Sequence, residues 1–135
     1  MFEKKAYEWR IQMTKLLSNV ALVEITIGGM NEASFDFLNT FNGQYLKTIV
    51  CKNVVKLQYE TIGEDSFAYF VGEVYSKKLS FEETNEALEY FDVVFKRTDY
   101  GELILVSIEG GEIDIDVLCE SVSTNRNALR RRSGC

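Results

Sequence analysis

Leu103-Ile-Leu-Val-Ser-Ile-Glu-Gly-Gly-Glu-Ile-Asp-Ile-Asp-Val-Leu-Cys-Glu120 sets two alternating runs on either side of a Gly-Gly pair. Strict alternation marks a half-buried strand, and a two-residue glycine loop joins such strands in a tight hairpin. With Gly110-Gly111 as the loop, Glu109 opposes Glu112, Ile108 opposes Ile113, Ser107 opposes Asp114 and Val106 opposes Ile115. Leu105 then faces Asp116 and Ile104 faces Val117. One face holds Ile104, Val106, Ile108, Ile113, Ile115 and Val117 and points to a core. The other gathers Glu109, Glu112, Asp114 and Asp116 and points outward. Glu109 against Glu112 is a like-charge pair, which weakens a ladder unless water, a cation or a basic partner screens it.

Immediately upstream, Thr98-Asp-Tyr-Gly101 is a second turn signal, so Tyr90 to Glu120 reads as a three-stranded antiparallel meander. Pairing Arg97 with Glu102 brings Phe95 to Ile104, Val93 to Val106 and Phe91 to Ile108, which keeps the large apolar residues on one side. The opposite side carries Tyr90, Asp92, Val94 and Lys96, then Leu103, Leu105, Ser107 and Glu109, then Glu112, Asp114, Asp116 and Leu118. It is acidic near the glycines and apolar farther away. A helix packed on this side would turn Leu103, Leu105, Val94 and Leu118 into core and leave only the acids near the turn accessible.

Farther out, Phe2, Ala6, Trp9, Met13, Leu16 and Val20 recur at gaps of four and three, the stripe of an amphipathic helix over residues 2–18. Residues 20–28 alternate as a strand that stops at Gly28-Gly29. Residues 31–41 fit a short helix or an irregular strand. Two β-rich runs, 45–51 and 54–62, flank Lys52-Asn53 as a turn or bulge, and Ser66 to Tyr75 reads as a further strand. Ser80-Phe-Glu-Glu83 is a capping box that starts a short helix near 81–90, with Phe81, Leu88 and Phe91 on its inner side. This order predicts an α+β domain: a largely antiparallel sheet of six or seven strands, an N-terminal helix, a short second helix and a closing meander.

Length and composition fit one domain over 1–122, followed by a basic tail, 123–135, that reads as a disordered end or an expression remnant. Residues 1–122 hold all 21 acids against 11 basic residues, whereas Arg126, Arg130, Arg131 and Arg132 lie in the tail. So acidic a body repels phosphate backbones and favours basic partners, which disfavours direct nucleic-acid binding. No apolar run is long enough to span a bilayer, and acids interrupt the start of the chain where a signal peptide needs apolar residues. Cys51, Cys119 and Cys135 match neither a disulfide framework nor a metal knuckle and read as reduced thiols. Together these point to a soluble, cytoplasmic protein without a membrane segment.

Histidine is absent, which removes the usual general base, the histidine-activated nucleophile and the commonest zinc ligand. The functional reading therefore rests on the acidic side of the meander, with Asp92, Glu109, Glu112, Asp114, Asp116 and Leu105 as partner-binding residues and no cofactor. The competing reading is a small metal- or ligand-dependent enzyme using Asp114 and Asp116, whose carboxylates lie two apart on one side of a strand and suit a hard cation. Ile108-Glu-Gly-Gly-Glu-Ile-Asp-Ile-Asp-Val-Leu-Cys-Glu120, closing a short, acidic, histidine-free chain, resembles the terminal hairpin of small bacterial immunity proteins from contact-dependent or polymorphic toxin systems. That resemblance implies a non-enzymatic protein that neutralises a basic toxin by covering its active site with an acidic surface.

Overall fold

Among the described residues, six antiparallel strands close into a barrel in the order β1-β2-β3-β6-β5-β4. The computed structural model describes residues 8–29, 31–61, 69–93 and 102–125. The strands are β1 (Thr14–Gly28), β2 (Glu32–Asn39), β3 (Tyr45–Thr61), β4 (Tyr69–Lys78), β5 (Ile104–Glu109) and β6 (Ile113–Asn125). A one-turn helix, α1 (Glu8–Ile11), precedes β1, and α2 (Phe81–Tyr90) lies between β4 and β5. The α+β sheet expected from the sequence is therefore corrected to a mostly-β closed barrel. Closure removes free sheet edges wherever the ladders overlap.

The expected helix over 2–18 is the largest departure. Of its described part only Glu8–Ile11 is helical, and Thr14 onward is strand. The cause is a strand whose alternation is broken. The ladder with β4 slips between Lys15 and Leu17, and Asn19 takes a left-handed φ of 52°. Each irregularity turns the two-residue spacing of a strand into a three-residue one, so Leu16, Leu17, Val20 and Leu22 all reach the barrel interior while imitating a helical stripe.

Residues 32–39 are strand, not helix, and 45–61 form one strand rather than two. Asn53 takes a φ of 54°, but Lys52 and Val54 pair with β6 in one register and the ladder slips only between Val54 and Lys56, so the bulge lies just past Lys52-Asn53. The capping box at Ser80 and Glu83 is formed as expected, with the Glu83 amide donating to Ser80 Oγ and the Ser80 amide to Glu83 Oε1. Leu88 and Phe91 are buried, but Phe81 is 61% exposed and does not lie on the inner side.

The meander is corrected too. Tyr90 ends α2 and Phe91 is its C-cap, so these two residues are not strand; Val94 to Arg97 and the turn at 98–101 lie outside the described residues. The neighbour of β5 is β4, with Val106 opposite Ser76 and Ile108 opposite Val74. The β5–β6 ladder runs Ile104–Cys119, Leu105–Leu118, Val106–Val117, Ser107–Asp116 and Ile108–Ile115, two residues away from the expected register. A shift of two preserves the facing of every side chain. Val106, Ile108, Ile113, Ile115 and Val117 accordingly fill the interior as expected.

The glycine turn is wide because it is stitched to β4. The Glu112 amide donates to the Phe70 carbonyl at 2.8 Å, and Glu112 Oε1 accepts from the Phe70 amide at 2.7 Å. Such closeness leaves no room for side chains: a Cβ on Gly111 would lie 2.1 Å from the Phe70 carbonyl oxygen, and one on Gly72 would lie 2.5 Å from that of Gly110.

Two apolar clusters result. The barrel interior is packed by Val20, Leu22, Phe35, Phe37, Ile49, Val71, Val74 and the β5–β6 aliphatics, with Cys51 and Cys119 among them. A six-stranded barrel is narrow enough for such side chains to fill it. A second cluster lies outside the barrel, where Trp9 of α1 and Ala87, Leu88 and Phe91 of α2 cover Leu103, Leu105 and Leu118. A helix does cover the apolar end of the outer face, and only the acidic end stays open.

Candidate functional site

Beyond the helices the outer face becomes polar, and the ladders set its rows. Lys15 opposes Tyr75, Tyr75 opposes Ser107, Ser107 opposes Asp116 and Asp116 opposes Gln58, a row that crosses five strands. In the next row Ser18 opposes Glu73 and Glu73 opposes Glu109, while Asp114 opposes Glu60 across the β3–β6 ladder. Five carboxylates, those of Glu60, Glu73, Glu109, Asp114 and Asp116, therefore share one side of the barrel. Glu60 against Asp114 and Glu73 against Glu109 are direct like-charge pairs.

A groove of about 610 Å³ opens along this side, lined by Arg10, Gln58, Tyr59, Glu60, Ser107, Glu109, Asp114 and Asp116 together with the β5–β6 backbone near Ile108 and Ile115. Arg10 is its cation. The guanidinium lies over the rings of Tyr90 at 5.4 Å and Phe91 at 5.9 Å, and Nη1 reaches Asp116 Oδ1 at 3.5 Å. Stacking on two rings presets the guanidinium, so Asp116 is partly neutralised at the helical end. Glu109, Asp114 and Glu60 remain at the other end.

At the margin, Glu73 accepts from the Tyr75 hydroxyl and from Lys15 Nζ at 3.1 Å. Both hold its carboxyl below the ordinary carboxylate range, the Tyr75 hydrogen bond most strongly. The same hydrogen bond raises the Tyr75 phenol to about 12, because ionisation would set two negative charges against each other. Buried Ser107 donates to Glu109 Oε2 at 3.4 Å.

The sequence-named residues divide. Glu109, Asp114 and Asp116 meet in the groove. Glu112 is exposed but committed to the Phe70 backbone, and Asp92, in the turn after α2 at φ 53°, is exposed and not among the groove's lining residues. Leu105 is fully buried under α2 and is a core residue, not a contact residue. Arg10, Gln58, Glu60 and Glu73 belong to the face and escape the sequence reading. Gln58, Glu60 and Glu73 arrive through the β3–β6 and β4–β5 pairings and Arg10 from α1, all of which join distant stretches and leave no local signal. Among the described residues no group of three acid or cysteine side chains converges closely enough to hold a metal ion. No helix among them is long and apolar enough to cross a membrane.

A protein-family model described only as "-like" matches residues 15–126, and the chain belongs to that family. The match covers all of the barrel but the first residue of β1. A crystal structure of an uncharacterized protein from Neisseria gonorrhoeae is similar at a TM-score of 0.60 and 21% identity, covering 84% of this chain and 96% of that one. At that identity the likeness speaks for the fold alone. No curated protein matches the chain. None of these similarities links it to the immunity proteins that its terminal hairpin resembles.

Proposed function

We propose that this chain is a non-enzymatic protein-binding module that docks a basic partner on the acidic outer side of its barrel. The carrying observation is the groove, where Glu60, Glu109 and Asp114 line one end and only Arg10, already engaged with Asp116, supplies positive charge. Like-charge pairs opposed on a ladder cost stability in the free protein, and a basic partner repays that cost on binding.

The test uses a labelled oligolysine peptide and the full chain, titrated by fluorescence anisotropy at low and high salt. Affinity is expected to fall with salt, and the Glu109→Lys/Asp114→Lys variant is expected to bind at least about tenfold more weakly, a loss of about 1.4 kcal/mol. A control of equal net charge, Glu82→Lys/Glu89→Lys on the exposed side of α2, is expected to bind much as the native chain does. Equal weakening in both variants would reduce the effect to net charge and overturn the site.

A further inference from the structure

The barrel is not closed along the whole of β3. On one side β3 is paired with β6 as far as Thr61. On the other, β2 pairs only with Tyr45–Cys51, and the last backbone link is the Val54 amide donating to the Asn31 carbonyl at 2.8 Å. Past the bulge at Val54–Lys56, the stretch Lys56–Thr61 has no strand on that edge among the described residues, and Gln58, Tyr59, Glu60 and Thr61 are exposed. An exposed strand edge is a template for pairing, and proteins usually blunt it. Here the bulge and Lys56 lie at the start of the stretch, and beyond them Leu57–Thr61 holds neither proline nor lysine.

The order of side chains on this edge is self-complementary. Lys56, Gln58 and Glu60 point outward, opposite Leu118, Asp116 and Asp114 of β6, whereas Leu57 and Tyr59 face the interior side opposite Val117 and Ile115. Turned about a two-fold axis through Gln58, a second copy of the edge sets Lys56 against Glu60 twice and Leu57 against Tyr59 twice. Opposite charges and an aliphatic–aromatic pair directly across an antiparallel ladder are both favourable. The same register relieves the strain between Glu60 and Asp114, because the lysine of the second copy arrives beside Glu60. The two-fold arrangement also meets the requirement of an isologous interface, in which one patch serves both copies.

We propose that the chain forms a symmetric homodimer by antiparallel pairing of β3 with β3 of a second copy, centred on Gln58. The partner-binding reading shares Glu60 with this edge but is tested at Glu109 and Asp114, so either proposal can fail without the other.

Sedimentation velocity over a concentration series on the native chain, Lys56→Glu, Glu60→Lys and the Lys56→Glu/Glu60→Lys exchange tests it. The native chain is expected to pass from monomer to dimer with rising concentration. Each single variant opposes like charges at both symmetric positions and is expected to weaken dimerisation at least about tenfold. The exchange restores the opposed signs and is expected to return dimerisation to near the native level. A native chain that stays monomeric throughout, as it would if the edge served an unrelated extended peptide, overturns the proposal; so do single variants that dimerise normally, or an exchange that fails to rescue. Should a charge variant not fold, Gln58→Cys in a Cys135→Ser background replaces it. Cα atoms directly opposed on an antiparallel ladder lie about 4.5–5.5 Å apart, within the Cα range a disulfide bridges, so mild oxidation is expected to give a reducible covalent dimer, and its absence overturns the register.

Discussion

Tyr75 and Glu73 are the most strongly coupled pair on the acidic side, and their coupling has a measurable signature. The phenol is raised to about 12 and the carboxyl is lowered, in each case chiefly by the hydrogen bond between them. A raised phenol contributes stability that is complete below the unfolded value near 10 and is lost as pH climbs through about 12. A lowered carboxyl contributes stability that is present above its unfolded value near 4.5 and is lost as pH falls through its folded value. Ultraviolet titration of the chain is therefore expected to show one phenol ionising near 12, and in Glu73→Gln that phenol moves back towards 10. An unchanged titration in the variant would remove the hydrogen bond as the cause. Neither residue was legible as a pair in the sequence, although an acid and a tyrosine two apart on a strand do share a side. Leu105 failed the other way: alternation gave its direction correctly, but nothing local announces that α2 lies above it.

For the elements, the facings were easier to read than the partners. Alternation assigned the core side of β5 and β6 correctly even though the register was off by two, because only odd slips exchange the two faces. The slip came from a contact that sequence does not display, the docking of the glycine turn onto Phe70. That contact has a consequence for the glycines. Gly111→Ala would put a Cβ against the Phe70 carbonyl, a collision with backbone that only movement of the turn or of β4 relieves, at a cost of roughly 1–3 kcal/mol. Gly28→Ala, with nothing within 4 Å of the new atom, is expected to change stability by less than about 1 kcal/mol. Urea denaturation of the two variants checks the contrast, and equal midpoints would show that the turn does not hold to β4. In β1 the elements misled for a related reason: a bulge near Leu16 and the left-handed backbone of Asn19 gave a strand the spacing of a helix.

Taken as a whole, the molecule is a barrel closed by pairings between distant stretches, β1 with β4 and β3 with β6, around an interior that alternation had largely identified. Those pairings decide where charge collects, and for that reason the acidic side was only half legible: the β5–β6 acids are visible in one hairpin, whereas Glu60 and Glu73 join them only after closure. On its acidic side the closed arrangement places two like-charge pairs, Glu60–Asp114 and Glu73–Glu109, against two ion pairs, Arg10–Asp116 and Lys15–Glu73, with two more ion pairs, Lys77–Glu83 and Lys78–Glu102, elsewhere among the described residues of a chain of net charge −6. Exposed ion pairs contribute little and are screened by salt, so their loss is small. Opposed carboxylates and the general excess of negative charge are screened as well, and that relief works in favour of the folded state. The melting temperature is therefore expected to rise between low-salt buffer and about 0.3 M sodium chloride, where the Debye length falls to well under 10 Å. In Asp114→Asn, which removes one of the like-charge pairs, the rise is expected to be smaller and the low-salt melting temperature higher. A native melting temperature that falls with salt would mean that the ion pairs outweigh the repulsion, and the stored repulsion that the partner-binding reading draws on would be absent.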